Sequence, residues 1–393
     1  MEYKPLGSMV NRKIGYGIVQ PGQSVPDGVP VIKVNNLISG LKSPSELDTT
    51  ARENEAKYSR TRLHGGELIV SVVGTIGKTA IVPKSFAGCN LVRATALIDI
   101  EDELMSKWVK YYFDSPCGQS YIEQNLNTTV QPTLNIKSLV EMPIPIRDTT
   151  EMEKTVLLLS ALDEKIEVNR QINDNLEQQA HSYFQELFVD NASPEWTTGT
   201  ISDLGTVVGG STPSKAKPEY YTESGIAWIT PKDLSINKSK FISHGENDIT
   251  ELGLKNSSAA IMPEGTVLFS SRAPIGYIAI AAGEVTTNQG FKSVVPKPEI
   301  GTPFVYFFLK NTLPVIEGMA SGSTFKEVSG STMKNVPAVI PDAEILAKFS
   351  DFCAPIFAQQ RTLEEQNQSL AKLRDSLLPK LMSGEIDVSA VQL

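Results

Sequence analysis

The chain of 393 residues is 40% hydrophobic and 21% charged, with a formal net charge of −9; that balance excludes a disordered or fibrous chain and fits two or three globular domains. No apolar run reaches the ~18 residues of a membrane-spanning helix, and the opening Met1-Glu2-Tyr3-Lys4-Pro5-Leu6 has neither the basic nor the apolar region of a secretory signal. Cys89, Cys117 and Cys353 show no CxxC spacing, so no disulfide scaffold or zinc ribbon is expected, and a cytoplasmic protein without a membrane partner is the simplest reading. The charge is unevenly placed: residues 1–149 sum to +1, 150–190 to −6, 191–343 to −2 and 344–393 to −2. The two large segments are nearly neutral, which permits polyanion binding without arguing for it.

Residues 1–150 alternate short β-type runs, such as Gly66–Val73 and Thr79–Pro83, with Gly, Pro, Asn and Ser turns. An aromatic helix over Met105–Phe113 follows, its rings read as core. Residues 151–190 predict a long helix in which Leu159, Leu162, Ile166, Asn169, Asn173, Leu176, Ala180, Tyr183 and Leu187 step by 3 and 4, the 3.5-residue period of a coiled coil. Residues 191–343 return to the first plan, with β-type runs at Thr266–Ser271 and Tyr277–Ala282 and an aromatic helix at Phe304–Leu309. Residues 344–393 hold a second long helix and a tail, with the seam Phe349, Cys353, Ile356, Gln360, Leu363, Asn367, Leu370, Arg374, Leu377 and Leu381. A helix of about 38 residues spans roughly 57 Å. The two long helices most simply pack on one another.

The recurrence is a duplication. Val29–Leu37 lines up with Ile226–Leu234 at an offset of 197, Gly66–Ser71 and Ile76-Gly77 with Gly265–Ser270 and Ile275-Gly276 at 199, and Val140–Pro143 with Lys334–Pro337 at 194. One unit of about 195 residues is used twice, far beyond a solenoid period. The expected fold class is α+β, with two similar β-rich domains each followed by a long helix.

No catalytic set emerges. Gly74-Thr75-Ile76-Gly77-Lys78-Thr79 is not a phosphate-binding loop, because Val72 stands where the first glycine must be; it reads as a glycine turn between strands. His64, His181 and His244 have no ligand spacing, no Gly-x-Ser-x-Gly elbow is present, and the Asn-Pro-Pro-aromatic motif of amine methylation is missing. Glu101-Asp102-Glu103 reads as a turn and Asp163-Glu164 as a solvated helix face. What remains are polar turns at equivalent places. The first half offers Lys57, Tyr58, Arg60 and Arg62, then Thr75 and Lys78, then Asn90 and Arg93; the second offers Ser211, Thr212, Lys215, Lys217, Tyr220, Lys232, Lys238, Lys240, Arg272, Asn288 and Gln289. Any one of these is ordinary surface, but as a collection they are the groups that reach phosphates and base edges.

These residues resemble a known family, the specificity subunits of type I restriction–modification systems. The likeness lies in Gly210-Ser211-Thr212-Pro213 leading to Pro218-Glu219-Tyr220-Tyr221, in Trp228–Leu234, in Ser271–Gly276, in Ile172–Glu177 running into Phe184–Phe188, and in Leu373–Glu385. It covers nearly the whole chain and is weakest over residues 1–60. The resemblance implies two DNA target-recognition domains (1–150 and 191–343) reading a bipartite double-stranded DNA target, and helices (151–190 and 344–393) packed as an antiparallel coiled coil about a pseudo-two-fold axis. It implies no chemistry and no cofactor on this chain. Two methyltransferase subunits using S-adenosylmethionine, and restriction–translocase subunits using ATP and magnesium, are the implied partners. With antiparallel helices and an axis near the helix midpoints, Asn173 and Asn367 are expected to meet inside the seam. From other classes, a stand-alone nuclease or hydrolase needs a buried carboxylate or metal cluster that the sequence does not display, and a protein-only scaffold is a further alternative.

Overall fold

The computed structural model describes residues 2–41, 43–127, 131–322 and 326–388, so the last five residues of the expected tail lie outside it. The chain divides into two compact units, residues 1–165 with 370–393, and residues 166–369. Each unit therefore combines one β-rich domain with part of both long helices.

In the first unit a four-stranded antiparallel sheet runs in the order Arg12–Tyr16, Thr95–Asp99, Leu68–Ser71, Thr79–Ile81. A three-stranded sheet runs Thr49–Thr50, Val29–Ile32, Asn90–Leu91, its last pair parallel. Glu2–Pro5 pairs with Pro143–Ile146 and brings the domain's ends together. The second unit repeats this order strand for strand. Gly205–Gly209, Lys292–Pro296, Val267–Ser271 and Ile275–Ala281 form the larger sheet; Asn247–Ile249, Ile226–Ile229 and Thr286–Thr287 form the smaller one, its last pair again parallel; Thr197–Thr200 pairs with Pro337–Ile340. It adds Phe241–Ile242 at the edge of the larger sheet and Tyr221–Thr222 at the edge of the smaller. Single hydrogen bonds recur too: Leu6 N–H to Met142 O (2.9 Å) matches Ile201 N–H to Val336 O (3.0 Å), and Gly66 N–H to Val82 O (2.7 Å) matches Gly265 N–H to Ala281 O (2.9 Å). The duplication seen in the sequence is a duplication of fold.

The aromatic helices are core elements. Helix Glu103–Asp114 starts on Asp102, whose carboxylate accepts the Met105 N–H at 3.0 Å as an N-cap should. It buries Trp108 and Phe113 completely against Leu68, Val70, Ala96 and Ile98, and the Trp108 indole N–H donates to Pro145 O at 2.7 Å. Its counterpart, Thr302–Met319, buries Phe304, Phe307 and Leu309 against Val267, Phe269 and Ile280. Each fully buried large side chain contributes about 1.5–3 kcal/mol.

The long helices span Thr149–Gln185 and Ala343–Ser383. Equivalent aspartates, Asp148 and Asp342, open them: their carbonyls accept Met152 N–H and Leu346 N–H. In the first unit Asp163 meets Arg374 at 2.8 Å and a Cβ on Gly384 would collide with Arg147, so residue numbers rise on one helix as they fall on the other. Asp163 is thus half-buried in an ion pair and accepts from Tyr111 Oη at 2.9 Å, which corrects its reading as solvated. In the second unit the direction is again antiparallel, with Asn169 facing Asn367 and Asn173 facing Gln360. Among the seam positions Leu159, Ile166, Leu187, Ile356, Leu363 and Leu381 are buried, and Leu162, Asn173, Leu176, Asn367, Leu370 and Leu377 half-buried.

The register differs from expectation by one turn. Asn367 does not bond Asn173: it accepts from Asn169 Nδ2 at 2.9 Å and donates to Ile166 O at 3.3 Å, while Asn173 Nδ2 donates to Gln360 O at 3.3 Å. The last two bonds exchange under the 194-residue offset, so the contacts still obey the repeat, but about a centre between Asn169 and Arg170. Sequence equivalence fixes which residues correspond, whereas large flanking side chains such as Phe184, Phe349 and Phe357, all in one cluster, decide how far two antiparallel helices slide. Asn169 is fully buried and its Oδ1 accepts no bond from the protein. Replacing both amides (Asn169→Leu with Asn367→Leu) should therefore raise thermal stability, whereas Asn367→Leu alone leaves the buried Asn169 amide only its long bond to Gln366 Oε1 (3.4 Å) and should cost about 1–3 kcal/mol; thermal unfolding of the three proteins checks the order.

Candidate nucleic-acid interface

Strand ends in both units carry the same turn. Ser71 Oγ donates to Thr75 O (2.6 Å) and accepts Lys78 N–H (2.8 Å); Ser270 Oγ donates to Pro274 O (2.8 Å) and accepts Tyr277 N–H (2.7 Å). One hydroxyl thus closes each turn. Gly77 and Gly276 sit inside at φ +81° and +93°, a conformation that only glycine adopts readily. The glycines of Gly74–Thr79 serve this turn, as expected.

In the first unit three turns adjoin. Tyr58 packs on the cluster of Ile18, Val31 and Val92, and Val72 N–H donates to Ala94 O at 2.8 Å, which places Ala56–Thr61, the Ser71–Lys78 turn and the Leu91–Thr95 segment side by side. Lys57, Arg60, Lys78 and Arg93 on these turns are exposed and make no ion pair among the described residues. Arg62 is different. Its guanidinium grips the buried Glu55 carboxylate, with Nε at 2.9 Å, and this bond holds the Glu55 carboxyl below its ordinary pKa. Asn90 is fully buried, donating to Glu55 and accepting from Thr61 Oγ1 at 2.8 Å. Asn90 braces the turn from within, and Arg62 grips Glu55 while its side chain stays 44% exposed.

In the second unit the corresponding turns converge more tightly. Ser211 N–H donates to Thr287 O (2.9 Å), Thr212 Oγ1 donates to Gln289 Oε1, and Ser271 N–H donates to Gly290 O (2.7 Å). Arg272 lies 3.5 Å from Glu327, which also receives Lys292 at 3.8 Å. Lys215 is exposed and unpaired among the described residues. The other candidates have partners within the protein, although Lys217, Lys232 and Lys238 stay exposed. Lys217 donates to Tyr220 Oη at 3.0 Å, and Tyr220 is core, 4% exposed. Lys232 pairs with Glu246 at 2.6 Å, Lys238 lies over the Tyr277 ring, and Asn288 Oδ1 accepts Gly290 N–H at 2.8 Å to shape its turn. Lys240, expected at a DNA surface, is buried: its ammonium contacts Glu177 at 2.5 Å and Gln360 at 2.7 Å. A period-2 strand pattern cannot show that the long helices cover this particular edge.

Matching bonds put the two sets of turns in register. Ile18 N–H to Leu91 O repeats as Ser211 N–H to Thr287 O, and the bridge Val73–Thr133 repeats as Arg272–Glu327. Hence Ile18 corresponds to Ser211, Val73 to Arg272, Lys78 to Tyr277, Arg93 to Gln289, and Thr133 to Glu327. The backbone frame is common and the groups it presents are not. Glu327 and Lys292 had no local signal in the sequence, since strand pairing alone brings them to Arg272.

The family described as type I restriction modification DNA specificity domain matches residues 2–178 and again residues 194–371. The chain belongs to this family. Each match spans one β-rich domain and most of its long helix. The MjaIX specificity subunit of Methanocaldococcus jannaschii is 38% identical over 192 residues, 48% of this chain and 44% of that protein; the chain thus aligns with under half the length of that relative. The HindI specificity subunit of Haemophilus influenzae is 24% identical over 330 residues, 65% of this chain and 71% of that one. The crystal structure of the S subunit of a type I restriction-modification system from M. genitalium superposes with a TM-score of 0.53 at 18% identity, over 96% of this chain and 95% of that one, a likeness of fold. Among the described residues no group of three or more His, Cys, Asp or Glu side chains is placed to hold a metal, and no helix is long and apolar enough to cross a membrane.

The second unit carries a pH-dependent ion pair. Burial alone would raise the Glu177 carboxyl, but the Lys240 and Lys310 ammonium groups override it and hold the pKa at about 2; the same burial pushes the Lys240 ammonium below its ordinary value. Because the folded value lies under the ordinary 4.5, the stabilisation is complete above that pH and is lost as pH falls toward 2. The stability difference between the native chain and Glu177→Gln should shrink steadily from pH 5 to pH 2 in chemical denaturation. A constant difference would assign the effect to packing.

Proposed function

We propose that this chain is the DNA-specificity subunit of a type I restriction–modification complex, in which each specificity-domain repeat reads one half of a bipartite duplex target. The observation that carries the reading is the shared turn frame with unlike groups at equivalent positions: Val73 against Arg272, Arg93 against Gln289, Thr133 against Glu327. One fold used twice with different polar tips is what recognition of two different half-sites requires. Arginine and glutamine are the side chains that reach guanine and adenine edges bidentately, and Lys57, Arg60, Lys78 and Lys215 are free to meet phosphates. In this reading the chain supplies sequence recognition. The methyl donor S-adenosylmethionine belongs to methyltransferase subunits docked on it, and ATP and magnesium to restriction–translocase subunits that join them. The net charge of −9 fits a subunit whose partners contribute many of the phosphate contacts.

Binding of duplex DNA by the chain together with its methyltransferase partner, titrated over a range of salt, tests this. Arg272→Ala should weaken specific binding by about 1–3 kcal/mol, and Lys78→Ala should weaken all sequences alike while lowering the salt slope by about 1. Absence of sequence-specific binding in the complex would contradict the proposal.

A further inference from the structure

Lys240, a candidate DNA contact by residue type, is excluded from that role by burial, with its side chain only 6% exposed. Its surroundings are unusually complete. It immediately precedes the extra edge strand Phe241–Ile242 of the larger sheet of the second unit. From there its ammonium reaches both long helices at once: Glu177 on the first (2.5 Å) and Gln360 on the second (2.7 Å). The Phe357 ring centroid lies 3.8 Å from the nitrogen, and the Tyr306 centroid 4.6 Å. Gln360 Nε2 in turn donates to Asn173 O at 3.1 Å, so the polar layer of the helix seam and the lysine are one network. Glu364, a turn further along, accepts both Lys240 N–H (2.7 Å) and Phe241 N–H (3.0 Å), capping the otherwise open edge of the sheet. The described residues of the first unit show no counterpart to this strand.

A buried ammonium is an expensive way to gain stability, since desolvation consumes much of the attraction and a packed apolar residue often does as well. What such a group contributes is geometry, because a shifted domain leaves a buried charge without its partners. The distance between two half-sites read by one chain is defined no better than the attachment of each recognition domain to the helices. We propose that Lys240 is a positioning residue that locks the second recognition domain onto the helix pair of its own unit and thereby sets how strictly the spacing between half-sites is enforced. The proposal rests on the DNA-recognition reading above.

The test measures methylation of duplexes by the chain with its methyltransferase partner, on targets carrying the preferred spacer and spacers one base pair shorter and longer. Lys240→Met should reduce discrimination between spacers by about tenfold while binding to an isolated second half-site stays as in the native chain. Lys240→Met combined with Glu177→Gln, which leaves no unpaired buried charge from this pair, should recover thermal stability but not discrimination, and Glu364→Gln, with Lys240 in place, should show a smaller loss of the same kind. Unchanged spacer discrimination in these folded variants would overturn the positioning role while leaving DNA recognition standing. If the native complex itself methylates without a bipartite preference, the recognition reading fails and this inference with it.

Discussion

Burial of a seam that recurs every 3.5 residues along two helices is the constraint on which each unit is built. The β-rich domains close their own ends, by pairing Glu2–Pro5 with Pro143–Ile146 and Thr197–Thr200 with Pro337–Ile340, and hand the chain directly to a long helix at Asp148 and Asp342. From that point the helix has one face for its own domain and one for the other helix. In the first unit Leu159 joins Trp108 and Leu381 in one cluster; in the second Phe184 joins Phe307 and Phe349. Domain core and helix seam are therefore continuous within each unit. Large flanking side chains set the slide between the helices, and the amides of Asn169, Asn173, Gln360 and Asn367 add a penalty for departing from it, at some cost in stability.

The second consequence of duplication is a fixed frame with variable tips. Backbone bonds such as Val72 N–H to Ala94 O and Ser271 N–H to Gly290 O keep the turns in the same relation in both units. The serine hydroxyls of Ser71 and Ser270, bonded within their own turns, make that relation independent of the side chains on the surface. Val73 can then be Arg272 in the other copy, and Thr133 can be Glu327, without altering the fold. This separation of frame from tip lets each copy present different groups while its core stays the same.

The repeat, the strand-rich domains and both helix seams were legible in the sequence because they rest on periodicity and on glycine and serine at turns, which are local signals. The register of the helices was not, since Asn173 and Asn367 are equivalent by offset but large side chains elsewhere set the slide. The binding groups divided in the same way. Lys57, Arg60, Lys78, Arg93 and Lys215 lie exposed on turns, where composition placed them. Lys240 and Tyr220 are buried, Arg62 is taken up by Glu55, and Glu327, which pairs with both Arg272 and Lys292, comes from far along the chain. Basic residue types identify turns able to meet an anion; only tertiary pairing decides which of them are left free to do so.

Whether each copy of the fold reads its own half of one DNA target is decided by mapping every methylated site produced by the chain with its methyltransferase partner. The map is then compared with that of a chain carrying Arg272→Ala and Gln289→Ala. The expected result is a bipartite methylation motif for the native chain and, for the variant, relaxation confined to one half with the other half and its methylated base unchanged. A single continuous motif, or relaxation spread over both halves, would contradict it.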